Sequence, residues 1–175
     1  IKPRLVRSIG GEDIPVEPPA PLGISSSNLP AVRRALFEVS NIRGGTAWRT
    51  RIADEDRRLA GKTGTSQVRN ITKEERARGV FRNRDLPWNR RDHALFVCYA
   101  PYDKPRFAVA VVVEHGGGGS TAAAPVARDI LLYALHGGMP PLTSYPKSQR
   151  PAAEERLGGL ELRALPEPQK DRSRA

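Results

Sequence analysis

The densest chemistry in this sequence lies in one short run, Ala60-Gly61-Lys62-Thr63-Gly64-Thr65-Ser66. Between Leu59 and Val68 it reads as an extended segment. Side chains alternate along a strand, so Lys62 and Gly64 share one face and Thr63 and Thr65 the other. Lys62 offers a compact positive charge, and the two threonine hydroxyls can donate to a carboxylate. Gly64 carries no side chain and lets another element or a ligand come close to the backbone. At a sheet edge, the strand's own N–H and C=O groups are also free to pair with an extended ligand. Together these are the parts of a peptide-binding edge that recognises a terminal carboxylate. Taken as four residues alone, a plain edge strand is the competing reading.

Other reactive residue types are isolated or badly placed. His93, His115 and His136 are scattered without ligand spacing, so no metal or cofactor is expected. Cys98, the sole cysteine, excludes an internal disulfide and reads as a small core residue within "ALFVCYA". "HGGGGST", His115 to Thr121, precedes a helix as a phosphate-cradling loop would. It lacks the lysine that a P-loop places before its Ser/Thr, so no nucleotide site is read there. The one serine followed three places later by lysine is Ser144, in "SYPK". A serine nucleophile of that kind needs a helix start with the lysine one turn on. Pro146 and the lack of an apolar helical face speak against it. Ser26-Ser27-Asn28 reads as a helix cap.

The elements that must position the Lys62–Thr65 run follow from pattern. Residues 1–11 alternate as a short strand ending at Gly10-Gly11, and Asp13 to Gly23 is a proline-rich connector. A helix follows Ser27 or Asn28, with Pro30 in its first turn and Leu29, Val32, Leu36 and Val39 on one face. Gly44-Gly45 stop it. Residues 69–92 form a polar, arginine-rich insertion in which Thr72 and Glu75 make a capping box. Its Phe81 and Trp88 suggest a loop that borders the cleft and touches substrate, glycan or a partner protein; a solvated loop is the bland alternative. "HALFVCYA" (93–100) and "RFAVAVVVEH" (106–115) are two strands joined by "PYDKP". Both are apolar on both faces, which predicts a hairpin covered by helices above and below. The next helix is expected to be capped by Ser120 or Thr121, to bury Val126, Ile130, Leu131 and Ala134, and to end at Gly137-Gly138. From Pro140 onward the pattern dissolves. A domain over residues 1–139 and a polar, largely disordered tail over 140–175 are expected.

Composition bounds the partners. The 175 residues are 38% hydrophobic, contain 16 glycines and 16 prolines, and carry a net charge of +10, mostly from arginine. A core is affordable, but much of the chain is loop. The charge favours anionic partners, and a basic nucleic-acid-binding module is one alternative reading. No run reaches the ~20 apolar residues of a membrane span. Any membrane link would come through a segment outside these residues.

Ordered blocks across the chain carry a resemblance. They are "KPRLVRSI" (2–9), "GGTAW" (44–48), "AGKTGTSQV" (60–68) and "RDHALFVCYAPYDKPRFAVAVVVEHGGGG" (91–119), followed by the terminal helix. K-T-G is a signature of penicillin-binding proteins and serine β-lactamases. The chain resembles the C-terminal part of the transpeptidase domain of class B penicillin-binding proteins, most closely the penicillin-binding protein 2 branch. The resemblance implies an α/β fold, the C-terminal portion of the penicillin-binding transpeptidase and serine β-lactamase-like fold. The 60–66 strand would pair antiparallel with 93–100, and that with 106–115, with the terminal helix on one face. The first two strands of the family's five-stranded sheet are not in this sequence.

The resemblance also implies roles. Lys62 would lie in the cleft and tune its charge. Thr63 and Thr65 would hold the carboxylate of a stem peptide or a β-lactam, with Gly64 between them, and the Thr65 N–H would form half of an oxyanion hole. The function implied is acyl transfer in peptidoglycan cross-linking during elongation, at the periplasmic face of the inner membrane. Its partners would be peptidoglycan stem peptides, β-lactams and proteins of the elongation machinery, with no nucleic acid. The family's Ser-x-x-Lys lies well before K-T-G and has no match at such a place here. The nucleophile is therefore expected outside this chain, and the isolated chain is expected to be inactive. A transpeptidase-derived scaffold without catalysis is the other alternative.

Overall fold

The computed structural model describes residues 5–18, 20, 21 and 23–161. The chain divides into two compact units, 1–34 and 35–175.

In the first unit, the strand expected over 1–11 is a small hairpin. β1 (Ser8–Ile9) and β2 (Glu12–Asp13) pair antiparallel, with Ser8 opposite Asp13 and Ile9 opposite Glu12. Gly10 and Gly11, at φ 60° and 90°, make the turn in a region of backbone space open to glycine. The strand is cut short because the chain reverses at this pair. Residues 1–4 of the expected strand lie outside the described residues.

Helix α1 (Leu29–Asn41) starts directly after Asn28, as the sequence predicts, and runs from the first unit into the second. The expected apolar face is only partly used: Leu29 and Val32 are exposed, whereas Val39 packs against the core. At its end, the Asn41 side-chain amide donates to the carbonyls of Phe37 and Leu59 at 2.9 and 2.8 Å, tying the helix to the chain that enters the sheet.

The centre of the second unit is a three-stranded antiparallel sheet in the order β3-β4-β5: β3 (Ala60–Ser66), β4 (His93–Ala100) and β5 (Phe107–Val113). Thr63 pairs with Phe96, and Phe96 with Val111. Both pairings follow the expectation. Register fixes the faces. Ala94, Phe96, Cys98 and Ala100 are buried beneath helix α3 (Ala124–His136), while Val97 and Val112, on the opposite face, are exposed at 51% and 61%. The prediction of helices on both faces therefore fails among the described residues: one face is covered and the other is open. Cys98 is a core residue as expected, and burial pushes its thiol up to about 12, which leaves it unreactive.

The α3 reading needs two corrections. Neither Ser120 nor Thr121 caps it; the chain enters through a π-helical turn, Gly119–Ala123, and the cap position is Ala123. The buried face is Ala124, Ala127, Arg128, Leu131, Leu132 and Leu135, while Val126 and Ile130 are exposed. Small alanines bring the helix backbone down onto the sheet, and the leucines then fill the space. Each such leucine contributes about 1.5–3 kcal/mol by burial.

Residues 140–161, expected to be a disordered tail, are folded. Two 3₁₀ turns (Leu142–Ser144 and Lys147–Gln149) lead into α4 (Arg150–Gly158). The anchor is polar. Arg128, 2% exposed, donates to Asp129 and to Gln149 Oε1 at 2.8 Å, and its guanidinium lies over the Tyr145 ring. The fully buried Tyr145 donates its hydroxyl to Asp129 at 3.1 Å, and Arg156 of α4 pairs with the same carboxylate. A buried guanidinium is costly unless paired, so satisfying Arg128 and covering Tyr145 holds this segment to α3. The rest of the expected tail, 162–175, lies outside the described residues.

Candidate functional site

β3 lies at the edge of the sheet, so one side of its backbone is paired with β4 and the other side is open among the described residues. Lys62, Thr63, Gly64 and Thr65 all stand on this edge, and the register places them as alternation predicts. Lys62 and Gly64 pair with Val97 and Leu95, on the open face. Thr63 and Thr65 pair with Phe96 and Ala94, on the α3 face. Lys62 and Thr65 are exposed, and Thr63 and Gly64 are half-buried. The Lys62 ammonium donates to the Thr63 carbonyl at 2.8 Å, which draws the charge along the edge.

A second threonine meets this edge. The hydroxyls of Thr46 and Thr63 are 2.9 Å apart. Thr46 belongs to the "GGTAW" turn after α1, and that turn is built to hold it close. Gly44 sits at φ 100°, and a Cβ on Gly45 would lie 2.3 Å from the Val39 carbonyl oxygen. Ala47 is buried, and Arg51 stacks on Trp48 at 3.7 Å. Thr46 was missed as a site residue because it stands 17 positions before Thr63. The only signal was the "GGTAW" block itself.

The glycine-rich turn after β5 packs over the paired backbones of β3 and β4. A Cβ on Gly119 would lie 2.3 Å from the Leu95 carbonyl oxygen and 2.6 Å from that of Gly64. The absent side chain of Gly119 thus allows two backbones to touch. His115 begins the turn at φ 55°. Its N–H donates to His93 Nδ1 at 2.9 Å, and its own Nδ1 lies 2.9 Å from the Arg91 carbonyl, which makes that nitrogen the protonated one. Trp88 packs its ring on His115. His93 and His115, scattered in sequence, are therefore neighbours in space, but they bond to backbone and to each other.

The 69–92 insertion closes onto the exit of β3. Thr72 caps helix α2 (Lys73–Arg78), its hydroxyl accepting from Glu75 N at 3.2 Å, as the capping box predicts. Arg69 and Glu75 form a two-pronged pair at 2.5 Å, and the Arg69 donors hold the Glu75 carboxyl below its ordinary value. Asp92 accepts from the N–H of Val68, just past β3, and from the Asn83 amide, while its carbonyl accepts from Gly117 N. One aspartate thus joins strand exit, insertion and glycine turn.

Two other serine segments make local contacts. Ser144 is 1% exposed, lies in a 3₁₀ turn rather than at a helix start, and sits 3.3 Å from His136 Nε2. Ser25 and Ser27 hydroxyls bond each other at 2.8 Å just before α1.

Comparison with known proteins converges on one family. The penicillin binding protein transpeptidase domain model matches residues 1–132. The chain is 39% identical to peptidoglycan D,D-transpeptidase MrdA of Haemophilus influenzae over 115 residues, 66% of this chain and 17% of that protein. It is 36% identical to MrdA of Acinetobacter baumannii over 129 residues, 74% of this chain and 17% of that protein. The crystal structure of Pseudomonas aeruginosa PBP2 in complex with WCK 5153 matches with a TM-score of 0.51 at 34% identity, over 76% of this chain and 26% of that one. The chain thus spans under a fifth of the length of these curated relatives. Its antiparallel sheet with flanking helices, bearing Lys62-Thr63-Gly64 on the edge, is the C-terminal portion of the penicillin-binding transpeptidase fold, and the chain belongs to the penicillin-binding protein transpeptidase domain family.

Proposed function

We propose that this chain supplies the carboxylate-gripping wall of a serine-type peptidoglycan D,D-transpeptidase. The observation that carries the reading is the free edge of β3, with Lys62 and Thr65 exposed and Thr63 beside them, in a chain of this family. The nucleophilic serine comes from sequence outside these 175 residues. Its Oγ attacks the carbonyl of the D-Ala–D-Ala bond, the C–N bond breaks, and D-alanine leaves with the proton on its amine. The resulting ester is then attacked by an amine of a neighbouring stem peptide. A new C–N bond forms, and the serine recovers its proton. A β-lactam acylates the same serine by ring opening.

In this scheme Thr63 and Thr65 donate to the carboxylate of the donor peptide or drug, and Lys62 holds the site positive. Gly64 keeps the strand slim. The Thr65 N–H gives half of the oxyanion hole, and loss of such a donor costs about 2.7–4 kcal/mol of barrier. Thr46 fixes the Thr63 hydroxyl and is a positioning residue. The exposed Phe81 and Trp88 of the insertion suit contact with glycan or with a protein of the elongation machinery. The proposed location is the periplasmic face of the inner membrane. No helix among the described residues is long and apolar enough to cross a membrane.

The test is covalent labelling by a fluorescent penicillin. The full-length protein should label at one serine, and the isolated 175-residue chain should not. Failure of the full-length protein to label refutes the reading, as does labelling of the isolated chain.

A further inference from the structure

A cavity of about 400 Å³ lies beside the β3 edge, lined by Arg82, Asn83, Arg84, Arg91, Gly116, Gly117, Gly118 and Thr121. Three arginines and no acidic residue line it. Among the described residues Arg82 forms no ion pair and Arg91 has no acidic partner; the Arg91 Nε donates to the Leu86 carbonyl at 3.0 Å. Arg84 lies 3.7 Å from Asp85, but that pair is solvent-exposed and neutralises little. The nearby Asp92 carboxylate is taken up by Asn83 and Val68 N. Among the described residues the Gly118 N–H goes to no backbone carbonyl. The Thr121 hydroxyl donates to Gly118 O at 3.0 Å, bracing this wall.

The cavity sits next to the proposed carboxylate grip without being part of it. Gly118, in its wall, is followed by Gly119, whose backbone rests on Gly64 and Leu95. The Asn83–Asp92 bonds hold the arginine loop to the same turn. An anion here would therefore lie one backbone layer away from an anion held by Thr63 and Thr65. Planar guanidinium groups recognise carboxylates with paired N–H donors.

We infer that this arginine cavity is an acceptor subsite that binds a carboxylate of the second stem peptide, the one whose amine attacks the acyl-enzyme. The inference rests on the transpeptidase reading. The donor peptide has its terminal carboxylate on β3, so a separate positive pocket at the same edge serves the second chain. The acceptor is itself a stem peptide and carries carboxylates of its own. Binding it by charge at the insertion orients its amine toward the ester from one side of the cleft.

The test measures the acceptor KM of the full-length enzyme with synthetic stem peptides whose carboxylates are free or all amidated, the amine being intact in both. In the wild type, amidation should raise KM about 5–10-fold, the effect expected of two partly exposed guanidinium contacts. In Arg82→Gln/Arg84→Gln the difference between the two peptides should fall to within about 2-fold. In Arg76→Gln/Arg78→Gln, which removes the same charge from α2 outside the cavity, it should persist. Equal KM for free and amidated peptides in the wild type overturns the subsite whether or not the variants fold. So does an unchanged ratio in Arg82→Gln/Arg84→Gln, or an equal loss in the α2 variant, which would indicate diffuse charge. A wild type that labels with penicillin but fails these criteria refutes the subsite alone; one that does not label refutes the transpeptidase reading.

Discussion

Gly119 is where backbone packing and the proposed chemistry meet, and Gly119→Ala tests their connection. The added methyl would lie 2.3 Å from the Leu95 oxygen, 2.6 Å from the Gly64 oxygen and 3.1 Å from the Gly64 nitrogen. All three are main-chain atoms of two paired strands, so no rotamer change relieves the clash. Reaching even 3.0 Å from Leu95 requires the π-helical turn to withdraw by about 0.7 Å. Overpacking of this kind costs about 1–3 kcal/mol. The turn leads directly into α3, whose Ala123, Ala124 and Ala127 are fully buried, so the displacement pulls on the core. For a domain of 150–250 residues, 1 kcal/mol moves Tm by about 2–4 °C, so a fall of about 2–12 °C is expected.

The displacement also reaches the proposed carboxylate grip, because Gly64 lies between Thr63 and Thr65. Misplacement approaching 1 Å can cost up to about 100-fold in rate, and a loss of about 10-fold in the rate of penicillin acylation is expected here. The assay is thermal unfolding and labelling kinetics of the full-length protein, with Gly138→Ala as the control. A Cβ on Gly138 meets nothing within 4 Å, so that variant should melt and label as wild type. If Gly119→Ala melts within about 1 °C of wild type and labels at the same rate, the turn does not brace β3 and the reasoning fails.

Other outcomes follow from the same contacts. Thr46→Val removes the hydroxyl beside Thr63 and should lower penicillin acylation about 2–10-fold; restoration by Thr46→Ser is the check, and an unaffected rate removes Thr46 as a positioning residue. Arg128→Ala leaves Gln149 and Asp129 short of a buried donor and should destabilise by about 3–5 kcal/mol. Limited proteolysis should then cut between Pro140 and Arg150 first, and unchanged resistance there would contradict the anchoring role of Arg128. Burial and then Asp129 push the Tyr145 hydroxyl from 10.0 up to about 12. The folded protein keeps a proton that the unfolded chain gives up, so this stabilisation is whole below pH 10 and declines from pH 10 to about 12. Denaturant midpoints across that range should fall less steeply in Tyr145→Phe; equal slopes refute the shift.

What could be read from the sequence was set by whether the cause was local. β4 and β5 are apolar runs bounded by Pro101 and Pro105, and the Thr72 cap needs only Glu75 three residues on, so both were legible. The strand that carries Lys62 to Thr65 was legible because it is one contiguous run. The face of α3 was not. Val126 and Ile130 are as apolar as Leu131, and hydrophobicity cannot choose a side when the sheet selects the small residues Ala124 and Ala127 for close approach. The segment after Pro140 looked structureless because its anchor is a charge on another helix. Tyr145 buries its ring in the core while its hydroxyl needs Asp129, 16 positions away, as a partner. The Thr46–Thr63 bond and the arginine cavity share that character. Each joins segments that the sequence separates, and in each a glycine, Gly45 or Gly119, permits the approach. The glycines were visible as turn residues, but their second role, clearing space for another backbone, depends on what arrives there. The strand proposed to grip could therefore be named from its residues, while the contacts that brace it, through Thr46, Asp92 and Gly119, emerge only when the sheet edge is assembled.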